Sequence, residues 1–364
     1  MSFLKQELKS RKLPELLCCM DGTVVKDKEA WQGRREEIKE ILCREFAGFP
    51  CAFPLQVTGE SVKRDENAYG GKAVTTWIDI RCKSPFAYVS FPCTVTVPKG
   101  VKQAPVFVYI SFTPAIADGI GEEIIDNGFA IANLYYQDVT SDKDDDFTSG
   151  AARFCTRNPY DSWGKLQMWG WAAARVADVL EQMEGNGTEI DCGRIAVMGH
   201  SRLGKAALLA GAMDERFSLT VSNDSGGGGA ALFRKKTGEL IRNLAGKGSR
   251  FWFCGNFFNY VDREDELPFD QHFLLAMMAG RHLYVCSASQ DDWADPTSEF
   301  LSCKAASEAF EVCSQNGLVC ADKYPIPGDV FHEGDIGYHL RGGTHYLGRD
   351  DWHRVMEYRR KHLV

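Results

Sequence analysis

The residues with the clearest capacity for chemistry are Gly199-His200-Ser201-Arg202-Leu203-Gly204-Lys205. The apolar or small residues Ile195, Ala196, Val197 and Met198 run straight into them, and an Ala/Leu-rich segment follows. That order reads as buried strand, tight turn and helix, with a serine at the tip of the turn. A sharp turn there lifts the hydroxyl clear of the strand, within reach of a base. The helix that follows aims its first N–H groups at the place where an oxyanion would form. Gly199 and Gly204 let strand and helix approach each other closely around the turn. The second glycine stands at Ser+3, a departure from G-x-S-x-G. The competing reading is a serine that only caps the helix.

A serine hydroxyl near neutral pH needs a base, and the base needs an orienting acid. The chain order of this arrangement is Ser, acid, His. Of the eight histidines, His200 flanks the serine and is expected to point away. His272 and His282 precede the last acidic loop, whereas His332, His339, His345, His353 and His362 come late enough. His345 lies in Arg341-Gly342-Gly343-Thr344-His345-Tyr346, where glycines permit a loop that returns over the sheet edge, and it is the expected base. Two places can supply the acid. One is Asp224, after the strand Leu219–Ser222 and before a run of glycines; the other is Asp291, in Gln290-Asp291-Asp292-Trp293-Ala294-Asp295-Pro296. Both are expected within reach of His345, with the remaining aspartates of the second loop serving as caps.

The elements around these residues alternate. Apolar runs at 106–110, 129–136, 194–198, 219–222 and 282–286 read as strands, and helical spacing marks Trp31–Phe46, Trp163–Met183 and 273–278. Residues 74–97 read as antiparallel strands broken near Ser84-Pro85, Ser141–Ser149 as an acidic surface loop, and 236–268 as an aromatic, irregular insert. Strands alternating with helices predict an α/β-hydrolase fold: a three-layer sandwich around a mostly parallel central sheet. The expected organisation is a helical extension over residues 1–50 and one catalytic domain over 51–364.

Composition narrows the partners. The chain has 364 residues, 44% hydrophobic and 25% charged, with a net charge of −8 and no long Lys/Arg block, so nucleic acid is not an expected partner. The longest apolar run, Phe273–Ala279, is too short to span a bilayer, and no membrane association is expected. The N-terminus has no apolar signal core. Thirteen irregularly spaced cysteines read as thiols in a reducing cytoplasm. No C-x-x-C or H-E-x-x-H occurs, and no metal or cofactor is expected.

Taken together, Gly199–Lys205, Asp214-Glu215-Arg216-Phe217, Ser222–Gly226, Leu267–His272, Asp291–Pro296 and Gly343-Thr344-His345 resemble carbohydrate esterase family 15, the glucuronoyl esterases, in its bacterial branch. The resemblance implies a cofactor-free serine esterase acting on small-molecule or oligosaccharide esters of glucuronic or 4-O-methylglucuronic acid. It makes Ser201 the nucleophile, His345 the base, and Asp224 or Asp291 the acid. It makes Arg202 the oxyanion arginine, and Lys205 and Trp293 the residues that hold the uronate. The elbow by itself suits a general acyl or acetyl esterase equally well.

Overall fold

The computed structural model describes residues 2–154 and 157–363. Two helices open the chain, α1 (Phe3–Ser10) and α2 (Lys28–Leu42). Three antiparallel strands follow: β1 (Gln56–Ala68), β2 (Ala73–Lys83) and β3 (Tyr88–Pro98). Then strands and helices alternate through β4 (Ala104–Ser111), α3 (Asp118–Asp126), β5 (Ala130–Tyr135), the single turn α4 (Tyr136–Val139), α5 (Lys165–Gly185), β6 (Ile190–His200), α6 (Arg202–Met213) and β7 (Phe217–Asn223). After the single turn α7 (Ile241–Leu244) come α8 (Gln271–Ala276), β8 (His282–Ala288), α9 (Pro296–Val312), β9 (Val330–Phe331), β10 (Ile336–Arg341) and α10 (Arg349–Lys361).

The strands form one sheet in the order β1-β2-β3-β5-β4-β6-β7-β8-β10-β9. The block β5-β4-β6-β7-β8-β10 is parallel throughout, and antiparallel strands flank it on both edges. Strand alternation divides the apolar side chains between two faces. Val106, Val108, Ile110, Ile195 and Val197 pack with α2, α5, α6, α8 and α9. Phe107, Ala196, Met198, Leu219 and Val221 pack with α3 and α10. This is the α/β-hydrolase sandwich that the alternating pattern predicts.

The N-terminal residues are built into the same core. Leu4, Leu16, Trp31, Ile38, Leu42 and Phe46 are buried in the larger cluster. The irregular insert closes over them, with the Phe46 ring 5.1 Å from both Phe253 and Phe257 and 5.6 Å from Phe269. Among the described residues eleven cysteines are free thiols, but Cys51 is disulfide-bonded, so the reading of every cysteine as a reduced thiol fails at Cys51. Among the described residues, no helix is long and apolar enough to cross a membrane.

Candidate active site

The parallel strands end together, and their C-terminal ends carry the expected site. In open α/β sheets ligands bind beyond those ends, where neighbouring connections run in opposite directions. The chain leaves β4 for β5 on one side and returns to β6 on the other, and Ser201 follows β6 directly. Its backbone is held at φ 57°, ψ −129°, the strained corner of the elbow. Asn223 O accepts the Ser201 N–H at 2.8 Å. A Cβ on Gly199 would stand 2.1 Å from Leu203 O, so only glycine permits the strand to meet the helix here.

His345 Nε2 lies 2.9 Å from Ser201 Oγ, and His345 Nδ1 lies 2.6 Å from Asp291 Oδ2. The register of β10 on β8 pairs Arg341 with Ala288, so the two loops leave the sheet side by side. Ser289 N–H donates to Arg341 O and Gln290 N–H donates to Gly343 O, both at 2.9 Å, and tie the loops together. Asp291 is buried while His345 is open to solvent on one side. Burial pushes the Asp291 carboxyl upward, but the hydrogen bond and charge of His345, with the Ala294 N–H and His200, together outweigh it and leave the carboxyl below its ordinary value.

The two candidate acids are not equivalent. Asp224, Asp291 and His345 each offer an atom within 4.8 Å of the other two. Asp224 Oδ2, however, accepts Arg341 Nη2–H at 2.8 Å, and Arg341 is itself clamped on Asp351. Burial and the nearby Glu299 carboxylate push the Asp224 carboxyl upward, against the pull of Arg341. Its other oxygen, Oδ1, is buried and has no hydrogen-bond partner among the described residues. Both aspartates thus lie within the expected reach of His345, though among the described residues only Asp291 makes a hydrogen bond to it. Nor does the cluster make a ready metal site, because both His345 nitrogens and Asp224 Oδ2 already have partners.

Arg202 starts α6, and its guanidinium forms an ion pair with Asp142 over the faces of Trp252 and Phe112. Asp142 also accepts from Tyr136 OH at 2.9 Å and from Trp252 Nε1 at 2.8 Å. The loop presenting Asp142 is gripped from within by Lys165, whose buried ammonium donates to Ser141 O, Lys143 O and Asp145 Oδ1 at 2.6–2.7 Å. The acidic stretch 141–149 is the surface loop expected, held in place from within by this lysine. Arg202 Nε is buried and finds no hydrogen-bond partner among the described residues.

Lys205 is buried, and its ammonium donates to Gly227 O and Glu239 Oε2, both at 2.6 Å. A carboxylate partners each of these two cations, since an unpaired buried charge costs too much. Glu239 N–H in turn donates to Trp293 O at 2.9 Å, and Lys236 Nζ donates to Ala294 O at 2.7 Å. Trp293, 52% exposed, stands on this braced segment as an open aromatic face. Asp295 caps α9 through Ser298 N–H, as expected of the surplus aspartates. Glu239, Asp142, Lys165 and Trp252 escaped the sequence reading, because their partners are distant in the chain.

His200 does not point away. Its ring centre lies 4.6 Å from that of His345, and its Nδ1 is 2.6 Å from Asn223 Oδ1. Burial, with the neighbouring His345 second, depresses its pKa to about 4, against weaker opposing pulls from Asn223 and Asp351. His272, buried against Pro14 O with Asp270, Arg234 and Arg34 around it, is also lowered by burial to about 4. Between pH 6.5 and 4 the unfolded chain thus binds protons at these two sites that the folded chain does not. Their contribution to stability is complete above pH 6.5 and is lost as pH falls toward 4. Tm measured by circular dichroism is expected to be flat near pH 7–8 and lower by about 5 °C at pH 5. A Tm unchanged at pH 5 would refute the assignment of both as buried neutral imidazoles.

The geometry has close parallels. The family model described as "Glucuronyl esterase, fungi" matches residues 80–314. Carbohydrate esterase MZ0003, from an unknown prokaryotic organism, is 31% identical over 97% of this chain and 90% of its own length. The 4-O-methyl-glucuronoyl methylesterase 1 of Wolfiporia cocos is 28% identical over 82% of this chain and 72% of its own. The solved structure of a glucuronoyl esterase from Solibacter usitatus superposes with a TM-score of 0.87 at 32% identity, covering 96% of this chain and 97% of that one.

Proposed function

The chain belongs to carbohydrate esterase family 15, the glucuronoyl esterases, and from this premise we propose that it hydrolyses esters of glucuronic or 4-O-methylglucuronic acid through an acyl-enzyme on Ser201. It is a carboxylic ester hydrolase. The observation that carries the reading is the single imidazole joining Ser201 Oγ to Asp291. His345 Nε2 takes the Ser201 proton as Oγ attacks the ester carbonyl, and Asp291 steadies the imidazolium that forms. The first N–H groups of α6, and Arg202 as the family resemblance implies, are the donors proposed for the growing negative charge. Collapse of the tetrahedral adduct expels the alcohol, which takes the proton from His345. Water then repeats the sequence and releases the uronate.

For the sugar, the Lys205–Glu239 pair supplies a fixed donor and acceptor for ring hydroxyls, and Trp293 supplies a flat apolar face. An acetyl group needs neither. Trp293→Ala is therefore expected to raise KM for methyl glucuronate about tenfold, ~1.4 kcal/mol, and to leave KM for p-nitrophenyl acetate nearly unchanged. Lys205→Ala is expected to show the same asymmetry. Steady-state kinetics on both esters decide the matter. Equal effects, or a wild type that prefers the acetyl ester, would make the protein a general acyl esterase.

A further inference from the structure

At the opposite end of the sheet three side chains converge that the esterase reaction does not use. They are His282, the first residue of β8; Asp335, just before β10; and His362, just after α10. Each offers one ligand atom within 4.8 Å of the other two. Leu283 N–H donates to Asp335 O at 3.1 Å, so the sheet itself holds the first two together. His282 and β8 start about 20 Å from the strand end that carries the catalytic loops, at 3.3 Å per residue over seven residues.

We propose that His282, Asp335 and His362 bind a divalent cation of the zinc type, with water completing the shell. Three observations support it. His282 Nδ1 is buried and has no hydrogen-bond partner among the described residues, although it faces Asp335 Oδ1 at 3.4 Å. No hydrogen bond spans this gap, and a cation between the two atoms would attract both. The outer partners are also of the kind that aims ligands. Asp335 Oδ2 accepts Asn316 N–H at 2.8 Å, which leaves Oδ1 toward His282. His362 Nε2 lies 2.9 Å from His332 O; donating there as N–H fixes the tautomer and leaves Nδ1 free to ligate. Two imidazoles and one carboxylate suit zinc, and partial exposure of all three leaves room for water.

Such an ion would pin the end of α10 to the starts of β8 and β10. The other end of α10 carries Asp351, which holds Arg341 beneath the His345 loop. The cation is therefore a structural clamp on the helix that backs the catalytic loop, not a participant in ester cleavage.

The test uses full-length, tag-free protein stripped with chelator and titrated with Zn²⁺ by calorimetry, with Tm followed in parallel. One ion per chain is expected to bind, with Tm rising about 3 °C at saturation. His362→Ala, a change at the solvent-facing end of a helix, and Asp335→Asn should each remove both effects. His345→Ala should keep them, which separates this site from the catalytic cluster. Absence of stoichiometric binding overturns the proposal, as does binding that survives His362→Ala or that disappears in His345→Ala.

Discussion

Replacing Ser201 with alanine is expected to leave the fold intact and to lower kcat by about 10⁴–10⁶, the cost of losing a triad nucleophile. The fold survives because the hydroxyl makes a single side-chain hydrogen bond, to His345, while the backbone of the turn is held independently through Asn223 O. Activity does not survive, because the Oγ at the tip of the elbow is the atom that His345 Nε2 can deprotonate. The measurement is kcat on methyl glucuronate, with circular dichroism confirming that Tm is unchanged. Retention of more than about a tenth of the wild-type rate would end the serine mechanism.

Asp291→Asn should come next in severity, with kcat down about 10³–10⁴. An asparagine keeps the shape but loses the charge that steadies the imidazolium. Asp224→Asn should behave differently. Its carboxylate serves Arg341, not His345, so kcat should fall less than about tenfold, while Tm drops because a buried arginine loses one of its two acidic partners. The pair of variants thus separates the acid that orients the base from the acid that fixes the loop beneath it. Equal losses of kcat in the two would mean that the aspartates share the role.

Much of the framework could be read from local pattern. β4 to β8 are short apolar runs bounded by turn residues, and a buried strand between two helical layers has no other way to look. Where burial was absent, so was the signal. β1 is exposed along nearly all of its thirteen residues, and its polar sequence carries no alternation to mark it; its pairing with β2 alone makes it a strand. The insert over 236–268 was legible only as irregular and aromatic. Its rings Phe253 and Phe257 have their partner in Phe46, so its packing is a long-range fact.

The same division runs through the site. Ser201 and its elbow are local: a strand, a glycine that admits Leu203, a strained turn and a helix, all within a dozen residues. Covalent proximity and steric limits on the backbone settle that arrangement, so the sequence by itself determined it. Which acid serves His345 is different. Asp224 and Asp291 stand on neighbouring strand ends, both at the right depth, and nothing in their own segments distinguishes them. In the fold Arg341, 117 residues from Asp224, takes one oxygen of Asp224, while the imidazole bonds Asp291. Likewise Asp142 and Glu239 are ordinary loop acids until folding sets Arg202 and Lys205 against them. Only the tertiary structure could assign these partners. Charges seek partners through space in a low-dielectric interior, where an unpaired ion is too costly to remain, and chain order carries no record of those distances.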